Sequence, residues 1–388
     1  MKRLALLFLV VLLSVPAWGA YLYNTPITVS GTMVGSGGPF SNHTLYLHLS
    51  GNQFKAVGGH IQNTVSVNGE TVPADFVFSP NANGTSPYNF AIKQWNQSTG
   101  DIWGYATIPS LSSSGITFYA AYDDATVTTN QSPAAPFDSS TAGYWPLGNG
   151  ATINDNDFTG HGRTLSSQNQ TLTAASGQFD GSVTFSDQSY ADCGAMEATS
   201  AVFSTPAAMT VSILAYVTNP NWNSYNGILI GDNSGFLGGS TNVGWGLTLG
   251  SSENIKFAWI NQSNGTLSAT SNTNAYTLNA WHLFQVRWDG TTSASNIHIY
   301  VDGTEVTYAG TTTYTTLGTT NTVTSIDSSW QFFWGSASDA RIDTTERSVG
   351  WITTVSNNLM SYGTYVTQGT EASSGGGSTS IRVIPYIM

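Results

Sequence analysis

Two alternating runs followed by a tight turn constrain this chain more than anything else in it. In Trp281-His282-Leu283-Phe284-Gln285-Val286-Arg287-Trp288-Asp289-Gly290, the residues Phe284, Val286 and Trp288 alternate with more polar neighbours, and Ile297, Ile299 and Val301 repeat the pattern. A period of two predicts strands with one buried face. Asp302-Gly303 then separates the second run from Thr304-Glu305-Val306. A type I′ turn needs positive φ at both central positions, so this pair predicts a hairpin. Strands of this kind must cover their apolar faces with a second sheet. The expected fold class is all-β, built from two β-sandwich domains.

The composition agrees. Only 8% of the 388 residues are charged, against roughly 25% in typical soluble proteins, and many short strands joined by polar turns produce that balance. The one cluster of positive charge lies at the start, where Lys2 and Arg3 precede an apolar run from Leu4 to Val15, then Pro16 and small residues. This is the layout of a secretory signal peptide over residues 1–19, with Ala17 and Gly19 before the cut. The apolar run is shorter than the roughly 20 residues of a spanning helix, and no later segment reaches that length, so no membrane span is expected and the location is secreted or cell-surface. Without Lys2 and Arg3, eight basic residues face 22 acidic ones, a net charge of about −14. Nucleic acid and anionic membrane are poor partners for such a surface. Cys193 is the only cysteine, which excludes an intramolecular disulfide and cysteine-based zinc sites, and leaves stability to large cores. Sequons such as Asn83-Gly84-Thr85 and Asn264-Gly265-Thr266 are at the level that chance gives in an Asn-, Ser- and Thr-rich chain.

Residues 20–138 read as the first domain. Leu45, Leu47 and Leu49 alternate with Tyr46, His48 and Ser50, and Ile102-Trp103-Gly104-Tyr105 and Ile116-Thr117-Phe118-Tyr119 are further strands. Pro133-Ala134-Ala135-Pro136 reads as a linker, since paired prolines do not sit inside a sheet. The segments Ala91-Ile92-Lys93-Gln94-Trp95-Asn96-Gln97-Ser98-Thr99-Gly100, Ile108-Pro109-Ser110-Leu111 and Thr117-Phe118-Tyr119-Ala120-Ala121-Tyr122 resemble an uncharacterised domain found just before concanavalin A-like modules in bacterial surface proteins. That family usually ends on Tyr-Tyr-Gly-Asn, where this chain has Ala121-Tyr122-Asp123-Asp124. The resemblance brings no activity with it.

Residues 139–370 read as the second domain. The opening Tyr144-Trp145-Pro146-Leu147, Gln178-Phe179-Asp180-Gly181-Ser182-Val183-Thr184-Phe185, the Met209 to Val217 run, the hairpin, and Arg341-Ile342-Asp343-Thr344-Thr345-Glu346-Arg347-Ser348-Val349-Gly350-Trp351-Ile352 are similar, in that order, to the concanavalin A-like, laminin G-like jelly rolls. The resemblance implies two facing antiparallel sheets. Residues 371–388 read as a Gly/Ser-rich linker, Ser373 to Ser380, leading to a short apolar strand, Ile381 to Met388, expected to dock on this chain rather than stand free.

Catalysis finds little support in these residues. The related glucanases use an E-x-D-x-E type of motif, whereas Glu70, Glu197, Glu253, Glu305, Glu346 and Glu371 are widely separated, and no Gly-x-Ser-x-Gly elbow or His-Glu-x-x-His occurs. His282 and His298 read as half-exposed sheet residues. The resemblance implies a structural Ca²⁺ between an early loop and the closing strand, with Asp155, Asp157 and Asp339 as candidate ligands. Sugars stack on aromatic faces and bond to planar polar groups, which points to the loop Asn221-Trp222-Asn223-Ser224-Tyr225-Asn226, with Trp222, Asn223 and Tyr225 as contacts, and then to Trp334 and Trp245. The expectation is a non-catalytic binding protein for a glycan or another cell-surface component. An adhesive or structural spacer protein is the alternative, and a glycoside hydrolase comes last.

Overall fold

The structure is a computed structural model that describes residues 21–168, 172–185, 195–222, 225–232, 244–260, 265–319, 324–326 and 333–374. Residues 1–20, Cys193 and the apolar segment Ile381 to Met388 lie outside these residues. Two β-sandwiches dominate the described residues, with one helix longer than a single turn between them.

In the first sandwich, a three-stranded sheet places Asp101–Leu111 between Phe40–Leu49 and Phe90–Asn96. It faces a sheet in which Ile116–Tyr122 lies between Tyr23–Val29 and Phe76–Ser79. Leu45, Leu47, Leu49 and Ile108 from one sheet meet Ile27, Phe76, Phe78 and Phe118 from the other in a single core. The alternation in the sequence is therefore real, but its polar face is solvated only toward the Ser50 end. Tyr46 and Tyr105, register partners on the opposite face of the three-stranded sheet, are buried as well.

The free edge of Tyr23–Val29 is taken by the far end of the chain. Val366–Gln368 pairs with it antiparallel, Ile27 opposite Gln368 and Val29 opposite Val366, and Ala372–Ser373 continues along the same edge. Tyr365 and Val366 join the first core. The division at residue 370 read from the sequence therefore differs from the structure, which gives residues 366–373 to the first sandwich. An open edge strand is an aggregation hazard. The strands that close it are too short to show a period.

The second sandwich pairs Trp334–Asp343, Met209–Asn219, Trp281–Trp288 and Ile297–Val301 in one sheet, and Tyr225–Asp232, Gly244–Leu249, Ile255–Ile260 and Thr266–Ser271 in the other. Val211, Ile213, Phe284, Val286 and Trp288 pack against Trp245, Leu247, Phe257 and Trp259. Trp245 is thereby a core residue. The expected hairpin is present, with Val301 opposite Thr304 and φ of 51° at Asp302 and 78° at Gly303.

Helix α1 (Val349–Met360) was not expected from the sequence. Ser348 caps it, its hydroxyl accepting from the Trp351 amide at 3.2 Å. Trp351, Ile352, Val355 and Leu359 form one apolar stripe. The helix is a wedge between the sandwiches: these four residues pack with Tyr46 and Tyr105 of the first and with Tyr144, Leu214, Leu283 and Tyr300 of the second. The two domains thus share a buried seam that the linker Pro133 to Pro136 does not foretell.

Candidate functional site

Where Met209–Asn219 ends and Trp281–Trp288 begins, the jelly roll has a rim with two different faces. The loop before Trp281 is tied in place by backbone bonds, Asn272 N–H to Thr307 O at 2.8 Å and Asn279 N–H to Val217 O at 2.8 Å. Between this loop and the Asp302-Gly303 hairpin opens a cavity of about 470 Å³ whose lining includes Asn272, Tyr276, Thr277, His282, Asp302 and Glu305.

The cavity wall is held by polar pairs. His282 Nδ1 lies 2.7 Å from Asp302 Oδ2, and Asp302 Oδ1 accepts the Leu283 amide at 2.8 Å. His282 Nε2 accepts the Thr277 amide at 3.3 Å and lies 2.9 Å from the Thr277 hydroxyl. This network assigns the proton to Nδ1, donating to Asp302. Hydroxyl, imidazole and carboxylate stand in the order of a nucleophile-activating triad, but the Nε2 lone pair is engaged by a backbone N–H. The imidazole here fastens a loop. Glu305 is held in turn by His298 Nδ1 at 2.7 Å and by the Tyr308 hydroxyl at 3.0 Å. Burial, reinforced by Glu253, pushes the Tyr276 phenol far above its ordinary value, so it stays neutral.

Side chains alternate across a strand, so Trp281 points away from His282, onto the outer face. There it meets its register partner Tyr216, ring centroids 5.8 Å apart and tilted by 56°. Ser336 is opposite Tyr216 on the other side, and Trp334 is the next residue along on that face, itself opposite Asn219. Trp281, Tyr216 and Trp334 thus lie on three neighbouring strands, each half-buried. Trp281 also packs against the buried seam cluster, so its ring is held in place while part of it stays accessible.

The residues expected from the sequence fall as follows. Trp334 is on this ridge. Trp222 and Tyr225 are register partners in a hairpin that begins two residues after Asn219, so their backbone stands at the same rim, while Asn223 lies outside the described residues. Tyr216 and Trp281 were missed. Their signal was available, as aromatic residues at the polar register of otherwise amphipathic strands.

The candidate calcium ligands do not come together. Asp157 Oδ1 accepts from the Thr159 amide at 2.9 Å and hydroxyl at 2.6 Å, and its Oδ2 accepts from the Arg163 amide at 3.0 Å. It is consumed in shaping its own loop. At Asp155 it is the main-chain carbonyl that is used, accepting the Leu165 amide at 2.9 Å. Asp339 faces the other way, into the seam, with the Lys93 ammonium 3.6 Å away and the Tyr105 and Tyr144 hydroxyls donating to it at 2.9 and 2.7 Å. A lysine ammonium beside the carboxylate opposes a divalent cation, and no group of three His, Cys, Asp or Glu among the described residues could hold a metal. The residues therefore do not fit the calcium site that the resemblance implies.

No curated protein matches the chain. Among solved structures, it is similar to the binding domain of Paraclostridial Mosquitocidal Protein 1, at 12% identity and a TM-score of 0.42 over 57% of this chain and 52% of that one. It is likewise similar to the receptor binding domain of botulinum neurotoxin D, at 12% identity and a TM-score of 0.43 over 57% of this chain and 53% of that one. The chain thus spans about half the length of these structures. Residues 187–353 match a laminin G family of the concanavalin A-like lectin/glucanases superfamily, and the second sandwich has the jelly-roll fold of that superfamily.

Proposed function

We propose that this protein is a non-catalytic, secreted or cell-surface binding protein that recognises glycans through the rim of its jelly roll. The observation that carries the reading is the ridge of half-buried Trp281, Tyr216 and Trp334, set back to back with a cavity lined by carboxylates, amides and hydroxyls. Aromatic faces stack on the apolar faces of sugar rings, and fixed polar groups select hydroxyl positions. The hairpin of Trp222 and Tyr225, whose backbone stands at the same rim, belongs to the site in this reading. Single sites of this size bind weakly, so partners are met through several copies.

The test is a glycan array probed with the mature chain in multivalent form, alongside Trp281→Ala and Tyr216→Ala. Binding to a defined set of glycans, reduced at least tenfold by each substitution with circular dichroism unchanged, is the expected result. A folded wild type that binds nothing on a broad array overturns the reading. A spacer or adhesive role is the second reading, favoured by the continuous seam that fixes the two sandwiches to one another. In that case the array is blank, while attachment of cells displaying the protein depends on its presence.

A further inference from the structure

The seam encloses a lysine with two carboxylates. Lys93 leaves its strand at the irregularity between Ile92 and Gln94, Asp180 precedes the strand Gly181–Phe185, and Asp339 sits at a bulge of Trp334–Asp343 with a φ of 49°. Their side chains are sealed from solvent, 0% exposed for Lys93 and 1% for each aspartate. Lys93 Nζ is 2.9 Å from Asp180 Oδ1 and 3.6 Å from Asp339 Oδ1. The Tyr105 and Tyr144 hydroxyls donate to Asp339 Oδ1, whereas Oδ2 of each aspartate accepts no hydrogen bond from the described residues. Tyr46 and Phe179, ring centroids 4.4 Å apart, belong to the aromatic packing around the three.

We propose that Lys93 and Asp180 join through an isopeptide bond from Nζ to Cγ, with Asp339 carrying the proton, so that the two sandwiches are covalently linked. One ammonium facing two carboxylates leaves an excess negative charge, and a buried cluster is balanced only by holding one further proton. Asp180 is the group suited to hold it: burial raises its carboxyl above the ordinary range and Asp339 adds to this, against the opposing pull of Lys93 and the Gly181 amide. Both carboxylates outweigh burial at Lys93 and keep it charged at rest. The amine is therefore released by passing one proton from Nζ to Asp339. The neutral nitrogen then attacks Cγ of the Asp180 carboxylic acid, and a tetrahedral intermediate forms. Asp339 gives its proton to the departing hydroxyl and takes the second proton from nitrogen. One C–N bond forms, one C–O bond breaks, one water leaves, and Asp339 ends protonated. No oxidant or cofactor is consumed. Fixed geometry and exclusion of water supply what an amine and an acid in solution lack, and the product replaces buried charges with an amide and a neutral acid.

The experiment is mass spectrometry of the purified, denatured chain with peptide mapping. The expected result is a species lighter by one water than its sequence, with one branched peptide pair joining Lys93 to Asp180. Asp180→Ala and Lys93→Met restore the full mass. Asp339→Asn abolishes the link in a chain whose near-ultraviolet circular dichroism shows it folded. A wild type at full mass, with Lys93 open to amine-reactive label in denaturant, overturns the proposal without touching the glycan reading. Linkage that persists in Asp339→Asn overturns the role of Asp339.

Discussion

Asp343 anchors a second charged cluster in the seam, and its removal is a quantitative test of how that seam is held. The carboxylate is fully buried and takes Arg341 Nε at 2.9 Å, Arg341 Nη2 at 2.9 Å, Arg347 Nη2 at 2.6 Å and the Thr141 hydroxyl at 2.8 Å. Asp343→Asn preserves the volume, removes the charge and turns one acceptor oxygen into an NH₂ that faces the guanidinium. Arg341 is then a buried cation with no anion against it, while Arg347 keeps Asp138 at 2.8 Å. Breaking a buried pair costs about 3–5 kcal/mol. Asp138→Asn removes a more exposed partner from the same Arg347, side chain 16% exposed, and leaves Asp343 in place. Its expected cost is about 1 kcal/mol. The cluster also packs on Trp351, both guanidinium groups lying over its ring, Arg341 at 4.8 Å and Arg347 at 5.0 Å. Urea unfolding followed by tryptophan emission should show Asp343→Asn far below Asp138→Asn in midpoint. Equal midpoints for the two variants refute the reasoning, since they would place as much of the cluster's strength in its less buried pair.

Three further outcomes are expected. His43 is sealed in the seam, 6.0 Å by ring centroids from both Phe40 and Trp351, and burial, with Arg341 and Arg347, lowers its pKa to about 3. The folded state thus binds fewer protons than the unfolded one between that value and about 6.5. Stability is full above pH 6.5 and is lost as pH falls, by up to about 1.4 kcal/mol per unit, and the His43→Leu difference curve against wild type should reveal this slope. A slope that is the same in both chains counts against it. Gly350→Ala ought to destabilise despite the better helix propensity of Ala, because a Cβ there overlaps the Ser36 carbonyl oxygen; thermal melts that rise decide otherwise. Tyr365→Ala removes a fully buried ring from the first core, at a cost of about 3–5 kcal/mol, read by denaturant unfolding. A cost near that of a surface substitution means that the returning strand does not matter to this sandwich.

The hairpin around Asp302-Gly303 and the jelly-roll core were legible because period-two alternation and a turn with obligatory positive φ are local signals. The seam was not. Tyr46, Tyr105 and Lys93 stand at positions that read as a solvated face, and only the approach of a second sandwich buries them. Helix α1 was hidden by Val349, Ile352, Thr353, Thr354 and Val355, β-branched residues that favour strand over helix until packing decides. The rim was half legible. Trp334 stands at the rim, as the sequence reading placed it, whereas Tyr216 and Trp281 join it only through the register of neighbouring strands, which no local pattern gives. Asp339, taken for a metal ligand, turns inward at a bulge that no pattern announces.

The strand that closes the edge of Tyr23–Val29 also sets a timetable. Asn24 donates its side-chain amide to the Ser374 hydroxyl at 3.1 Å, 350 residues further along. A ribosome making roughly 5–20 residues per second takes about 20–70 s to cover that stretch. Throughout that interval the first sandwich has its hydrophobic core but lacks Tyr365, Val366 and one side of its edge strand. Of the two sandwiches it is the first to emerge and the last to be finished. Its nascent form has an unpaired edge ready for any other strand, so holding that edge open, unfolded or escorted until residues 366–373 have been made becomes a requirement of biosynthesis as well as of stability.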